Sequence, residues 1–150
     1  MKRTVFDVAN WFLEKESMTP KKLQKRVYYY FAWGQALLQK DVIHKCEFEA
    51  WVHGPVNKDL YRKYKRFGWT DILEHDEPPE FSIDEEELLE SVWMTYGDKS
   101  ANELEALTHQ EEPWLRARGS CEENDVCTNV IDTGVMREYY LNLYESIQGE

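Results

Sequence analysis

A histidine and a glutamate two residues apart open the chemical reading of this chain. They are His109 and Glu111, in the run Thr108-His109-Gln110-Glu111-Glu112-Pro113-Trp114. An imidazole that titrates near neutrality beside a carboxylate is the pairing that general acid–base catalysis uses, and with or without a metal it would suit a hydrolase. No nucleophile, phosphate loop or oxyanion feature accompanies the pair. The structural reading is that the Thr108 hydroxyl and Glu111 hold His109 in one tautomer and tie two helices together. A second histidine, His53, stands in Glu49-Ala50-Trp51-Val52-His53-Gly54-Pro55-Val56. It reads either as a base or ligand or as a hydrogen-bonded structural residue, and Gly54 and Pro55 account for the string without any chemistry. The expectation is a chain that is not an enzyme and has no catalytic residues.

Cys121 and Cys127 flank an acidic stretch, and His44 is close to Cys46. Zinc takes four thiolate or imidazole ligands, usually from more tightly spaced pairs. A site built from Cys46, Cys121, Cys127 and His44 would need the fold to gather them, so reduced structural cysteines are the simpler reading and no cofactor is expected. The basic run Lys58, Arg62, Lys63, Lys65 and Arg66, interleaved with Tyr61, Tyr64, Phe67 and Trp69, is the one stretch suited to phosphate contacts. The acidic remainder disfavours direct nucleic-acid binding, and these cations are expected to pair with the acidic half of the chain or with a partner.

The net charge of -11 conceals a split. Residues 1–75 carry 14 Lys+Arg against 9 Asp+Glu, a balance of +5, and residues 76–150 carry 4 against 20, a balance of -16. A dipolar chain of this kind can steer a basic protein partner onto its acidic half, with Asp84, Glu85, Glu86 and Glu87 as the candidate partner-binding run. The bland reading is that these charges solvate helices. At 150 residues, 42% hydrophobic and 14% aromatic, the chain is expected to fold as one domain over residues 1–150. A chain of that size buries roughly 70% of its unfolded surface. No stretch approaches the roughly 20 apolar residues of a membrane helix, and the N-terminus lacks the features of a signal peptide. With an odd number of cysteines, that points to the cytoplasm, away from membranes.

The elements that must position these residues are mostly helical. Thr4 caps a first helix over about residues 4–16, carrying Val5, Val8, Ala9, Phe12 and Leu13 inward. Thr19 and Pro20 start a second helix reaching about Leu38. Its inner stripe is expected to be Leu23, Val27, Tyr30, Phe31 and Leu37, with Lys21, Lys22, Lys25 and Arg26 towards the polar side, and Gly34 marks a close approach. Residues 46–53 alternate as a short strand that Gly54-Pro55 ends in a rigid corner before a helix over about residues 57–67. His75 to Glu80 is an exposed loop and the candidate hinge. Asp84 is expected to cap a helix ending at Gly97, Ser100 and Glu103 form a capping box, and Pro113 opens a short helix ending near Gly119. Residues 129–131 suggest a small strand, and a last helix runs over about residues 132–147. The fold class is therefore mainly α: a compact domain of about six helices with a minor short β element.

Three phrases together resemble the Panacea domain, the SocA-like antitoxin family of bacteria and their phages. The first is Lys22-Leu23-Gln24-Lys25 leading into Tyr28 to Tyr30, of which Leu23 and Lys25 match the family helix; the second supplies Trp51, His53, Gly54, Pro55 and Val56. The third fits a Thr-His-x-Glu-x-Pro-Trp pattern with Thr108, His109, Glu111, Pro113 and Trp114. The resemblance spans from about Val5 to the final helix and implies one half of a toxin–antitoxin system, neutralising its toxin by direct protein–protein binding. A phage-associated inhibitor of a nucleic-acid-dependent enzyme, of the anti-CRISPR type, acting through an acidic surface is the alternative. The three tyrosines, the acidic second half and the cysteine-bearing loop depart from a generic member.

Overall fold

The Thr19 hydroxyl accepts a hydrogen bond from the Lys22 amide, and Pro20 occupies the first turn, where its missing N–H has no intrahelical partner. The helix that starts there organises the rest. The computed structural model describes residues 2–149. Among them the elements run in the order α1 Val5–Lys15, α2 Pro20–Leu37, β1 Glu49–Trp51, β2 Gly54–Val56, α3 Lys58–Tyr64 with a 3-10 turn Lys65–Phe67 directly after it, α4 Ile83–Tyr96, α5 Ala101–Thr108, α6 Glu112–Arg118 and α7 Thr133–Gln148. The architecture is mainly α with a minor β element, and among the described residues it has seven α-helices where about six were expected.

α2 is buried continuously from Leu23 to Ala32 and packs against α1, α3, α4, α5, α7 and β2. A helix enclosed on every side has no polar face to keep in water. Lys25 and Arg26, expected towards the polar side, are accordingly buried, while Leu37, expected inside, is exposed. Arg26 survives burial because its guanidinium reaches the carbonyls that end α4, donating to Gly97 O at 2.7 Å, and lies over the Trp93 ring. Gln24 exchanges two hydrogen bonds of 2.9 Å with the backbone of Asn57, which itself caps α3. At Gly34 a Cβ would stand 2.7 Å from Val42 Cγ2, the close approach expected there.

Gly54-Pro55 does not end a strand. It forms most of β2, which pairs antiparallel with β1 in the register Glu49 to Val56, Ala50 to Pro55 and Trp51 to Gly54, with Val52 and His53 as the turn. Gly54 enters at φ 114°, a conformation open chiefly to glycine. The strand expected at residues 129–131 reduces to one bridge, Val130 to Glu49, flanked by Ala50 N to Asn129 O and Ile131 N to Phe48 O bonds of 2.9 and 2.8 Å. α4 is capped by Ser82 in a capping box with Glu85, not by Asp84. The boxes at Thr4 with Asp7 and at Ser100 with Glu103 are both formed.

Candidate functional site

Lys21 and Lys25 are one helical turn apart and share a face of α2. The β1–β2 hairpin and α3 stand opposite that face, and between them lies a groove of about 430 Å³. Leu23, Val56 and Leu60 give it apolar walls; Tyr61 and Trp69 add aromatic surface that stays in solvent, Trp69 at 84% exposure. Among the described residues that line it there is no aspartate or glutamate, whereas Lys21, Lys25, Lys65 and His53 all contribute. In a chain of net charge -11 this is a locally cationic, aromatic recess.

Glu105 is the counter-charge behind that rim. It forms an ion pair with Lys21 and sits 3.2 Å from His53 Nδ1. Burial pushes its carboxyl up, but Lys21 and His53 outweigh this and hold it below the usual range. Lys25 is enclosed, and burial pushes its ammonium down to about 7, with repulsion from Lys21 adding and Glu105 opposing. Its stem crosses the backbone of Gly54: a Cβ there would lie 2.5 Å from Lys25 Cε, 3.0 Å from Nζ and 3.1 Å from Thr108 Oγ1. Two family phrases thus meet at Lys25 and Gly54, and Thr108 of the third closes the contact.

The rest of the third phrase is divided between two environments. His109 stacks on Trp114 with ring centroids 4.0 Å apart, and Trp114 donates to Trp51 O at 2.9 Å, fastening α6 to the hairpin. Glu111 points into the core and accepts hydrogen bonds of 2.8 Å from the Tyr29 and Tyr140 hydroxyls. Burial raises its carboxyl to about 7, and the two tyrosine bonds only partly offset this. The Thr108 hydroxyl donates to Glu105 O. The expected bonds from Thr108 and Glu111 to His109 are not formed, because each group has a different partner. The phrase ties helices together through a different residue, with Glu111 joining α2 and α7 at the start of α6.

The remaining candidates are separate from the groove. Among the described residues no three His, Cys, Asp or Glu side chains converge as metal ligands. Cys46 is packed against Asn57, and His44 is exposed. Cys121 and Cys127 are free thiols in the loop whose carbonyls, at Glu122, Glu123 and Asp125, hold Arg118. The cations of residues 58–66 pair close to home rather than with the acidic half: Lys58 with Glu49, Arg62 with Asp59 and Arg66 with Glu74, while Lys63 lies over Phe6. Of the acidic run, Asp84 and Glu87 are exposed, but Glu85 is buried in its cap beside Arg3 and Glu86 accepts from Trp11 Nε1. Lys21 and Glu105 were not foreseen as site residues, and Lys65, Tyr61 and Trp69 were singled out only as part of the run suited to phosphate contacts. The Lys21–Lys25 spacing and the tryptophan just past Gly68 were the available signals.

Residues 23–115 match the family model described as antitoxin SocA-like, Panacea domain. The match starts at Leu23 on the groove wall and stops just after Trp114, so it is narrower than the span expected from the phrases and leaves α1 and α7 outside. No curated protein and no solved structure matches the chain.

Proposed function

The chain belongs to the antitoxin SocA-like Panacea family, and from that premise we propose that it neutralises a cognate protein toxin by direct, stoichiometric binding rather than by catalysis. The supporting observation is the convergence of the family phrases on a groove that leaves Tyr61 and Trp69 in solvent above apolar walls. Aromatic side chains around a recess are the material of interface hot spots, where a few anchors dominate affinity and surrounding charges set selectivity. The separate fates of His109 and Glu111 support binding over acid–base chemistry, since no shared geometry positions them on one substrate. Free cysteines fit action in a reducing compartment, the cytoplasm, and no helix among the described residues is long and apolar enough to cross a membrane.

The test is titration of the purified chain against the toxic product of the reading frame beside its gene. The expected result is loss of toxin activity that is complete near equimolar chain, together with a complex that co-elutes. Neutralisation at a small fraction of equimolar chain would indicate turnover and overturn the stoichiometric mechanism. Toxicity unaffected at any ratio would overturn the antitoxin reading.

A further inference from the structure

Lys25 has an enclosed ammonium that borders the groove, and among the described residues no carboxylate forms an ion pair with it. A buried charge without a partner is costly, and it is retained where something else supplies the counter-charge or removes the proton. Glu105, the nearest candidate, is already engaged by Lys21 and His53. Lys21, Lys25, His53 and Lys65 therefore border a recess with one shared carboxylate behind it and none lining it. Beside this cationic side lie Leu60, Tyr61 and Trp69, so the recess is apolar and anion-seeking at once. The larger cleft between residues 41–49 and α3, about 510 Å³, lacks this character, because its Lys58 and Arg62 are matched by Glu49 and Asp59 on its own walls.

We infer that this groove receives a segment of the protein partner carrying a carboxylate next to an aromatic or branched aliphatic side chain. The carboxylate is placed against Lys25, Lys21 and His53, and the apolar group lies on Leu60, Tyr61 and Trp69. The inference rests on the antitoxin reading and adds the chemistry of what is held. It also shifts the docking surface from the acidic run at residues 84–87 to a cationic recess on the opposite-signed half of the sequence. A carboxylate arriving beside Lys25 stabilises the ammonium form, so binding takes up a proton and strengthens as the pH falls from about 8 to about 6.

The probe is 3-phenylpropionate, compared with its uncharged amide, on the full chain, followed by amide and indole chemical shifts. The expected result is saturable binding of the acid, about tenfold tighter than the amide, the size of one charge-assisted contact, with shifts at Lys25, Tyr61 and Trp69. Lys25→Met should bring acid and amide within about twofold of each other. Trp69→Ala, at an exposed position, should weaken both with the melting temperature unchanged. Equal binding of acid and amide, or shifts confined to other surfaces, would overturn the site. In the second arm the toxin that the chain neutralises should displace the probe and should bind the Lys25→Met and Trp69→Ala chains more weakly. Neutralisation that leaves the probe bound would show a small-carboxylate site and overturn the docking inference while the antitoxin reading stands. Failure of neutralisation itself would overturn that reading and the partner assignment with it, leaving probe binding as a separate fact.

Discussion

Glu111 illustrates at the scale of one residue how a family signature can serve the core. Its Oε1 accepts both tyrosine hydroxyls, Tyr28 reaches the same cluster through Tyr140 at 3.2 Å, and Tyr29 stacks on Tyr96 at 4.0 Å. Burial holds the carboxyl at about 7 against an ordinary 4.5, so the folded chain binds this proton more tightly than the unfolded one. The contribution of Glu111 is therefore greatest below the unfolded value and is lost as the pH rises through about 7. The loss amounts to about 3 kcal/mol. Glu111→Gln keeps an Oε1 acceptor for both hydroxyls and removes the titration. The stability difference between variant and wild type, from urea unfolding at about pH 5 and about pH 8, should move in the variant's favour by about 2–2.5 kcal/mol as the pH rises, the remainder of the loss falling below pH 5. A difference that does not change with pH would refute the burial of an ionisable carboxyl there. The sequence displayed the glutamate but not this role, because Tyr29 is 82 positions away and reaches it only where α2 passes the residue that precedes α6.

At the scale of elements, the hairpin depends on one backbone conformation. Gly54 combines φ 114° with a neighbour, Lys25 Cε, only 2.5 Å from where a Cβ would be. Gly54→Ala thus meets two penalties: a left-handed dihedral that costs about 1–2 kcal/mol, and displacement of the Lys25 stem or of the hairpin. The expected loss is about 2–4 kcal/mol by urea unfolding, accompanied by a changed environment for Lys25. A loss under about 0.5 kcal/mol would mean that the hairpin and α2 are not in contact as described. Much at this level was legible beforehand. Caps at Thr4, Thr19 and Ser100 follow from local spacing, and all are formed. Gly54-Pro55 misleads because a proline normally stops a ladder, yet on an edge strand its missing N–H is tolerated. Ser82-x-x-Glu85 was a complete capping box in plain view and outranks Asp84. Arg26 was not readable from periodicity, since its partners are the carbonyls of Tyr96, Gly97 and Lys99, some 70 positions away.

At the scale of the whole molecule, the family-matched stretch is enclosed by helices that the match does not include. Residues 23–115 contain α2 without its first three residues, and α2 is covered along one side by α1 and along another by α7. α7 contributes fully buried Met136 and Tyr140, and Arg137 donates to Gln35 O and Oε1 at 3.1 and 2.8 Å. Tyr28 and Tyr29, the tyrosines that Tyr140 touches, lie one turn beyond Lys25 on α2, so the phrases announced the recess while the helix that supports its central wall was visible only as an apolar pattern. Removing α7 exposes what it covered. Full burial of a large apolar side chain contributes about 1.5–3 kcal/mol, and both Met136 and Tyr140 are lost as Tyr28 and Tyr29 become exposed. The two lost side chains account for about 3–6 kcal/mol, and partial exposure of Tyr28 and Tyr29, which keep their packing on Phe48 and Tyr96, adds to it, a loss comparable with the whole stability of a domain, about 5–15 kcal/mol. Glu111 also keeps only one of its two hydroxyl donors. A chain ending at residue 131 should therefore retain helical far-ultraviolet dichroism but lose its near-ultraviolet signal and its cooperative thermal transition, and it should no longer bind 3-phenylpropionate with a preference over the amide. A cooperative transition within a few degrees of the full chain would show that α2 is held by α1, α4 and the hairpin alone, and that α7 is an addition to the fold rather than one of its walls.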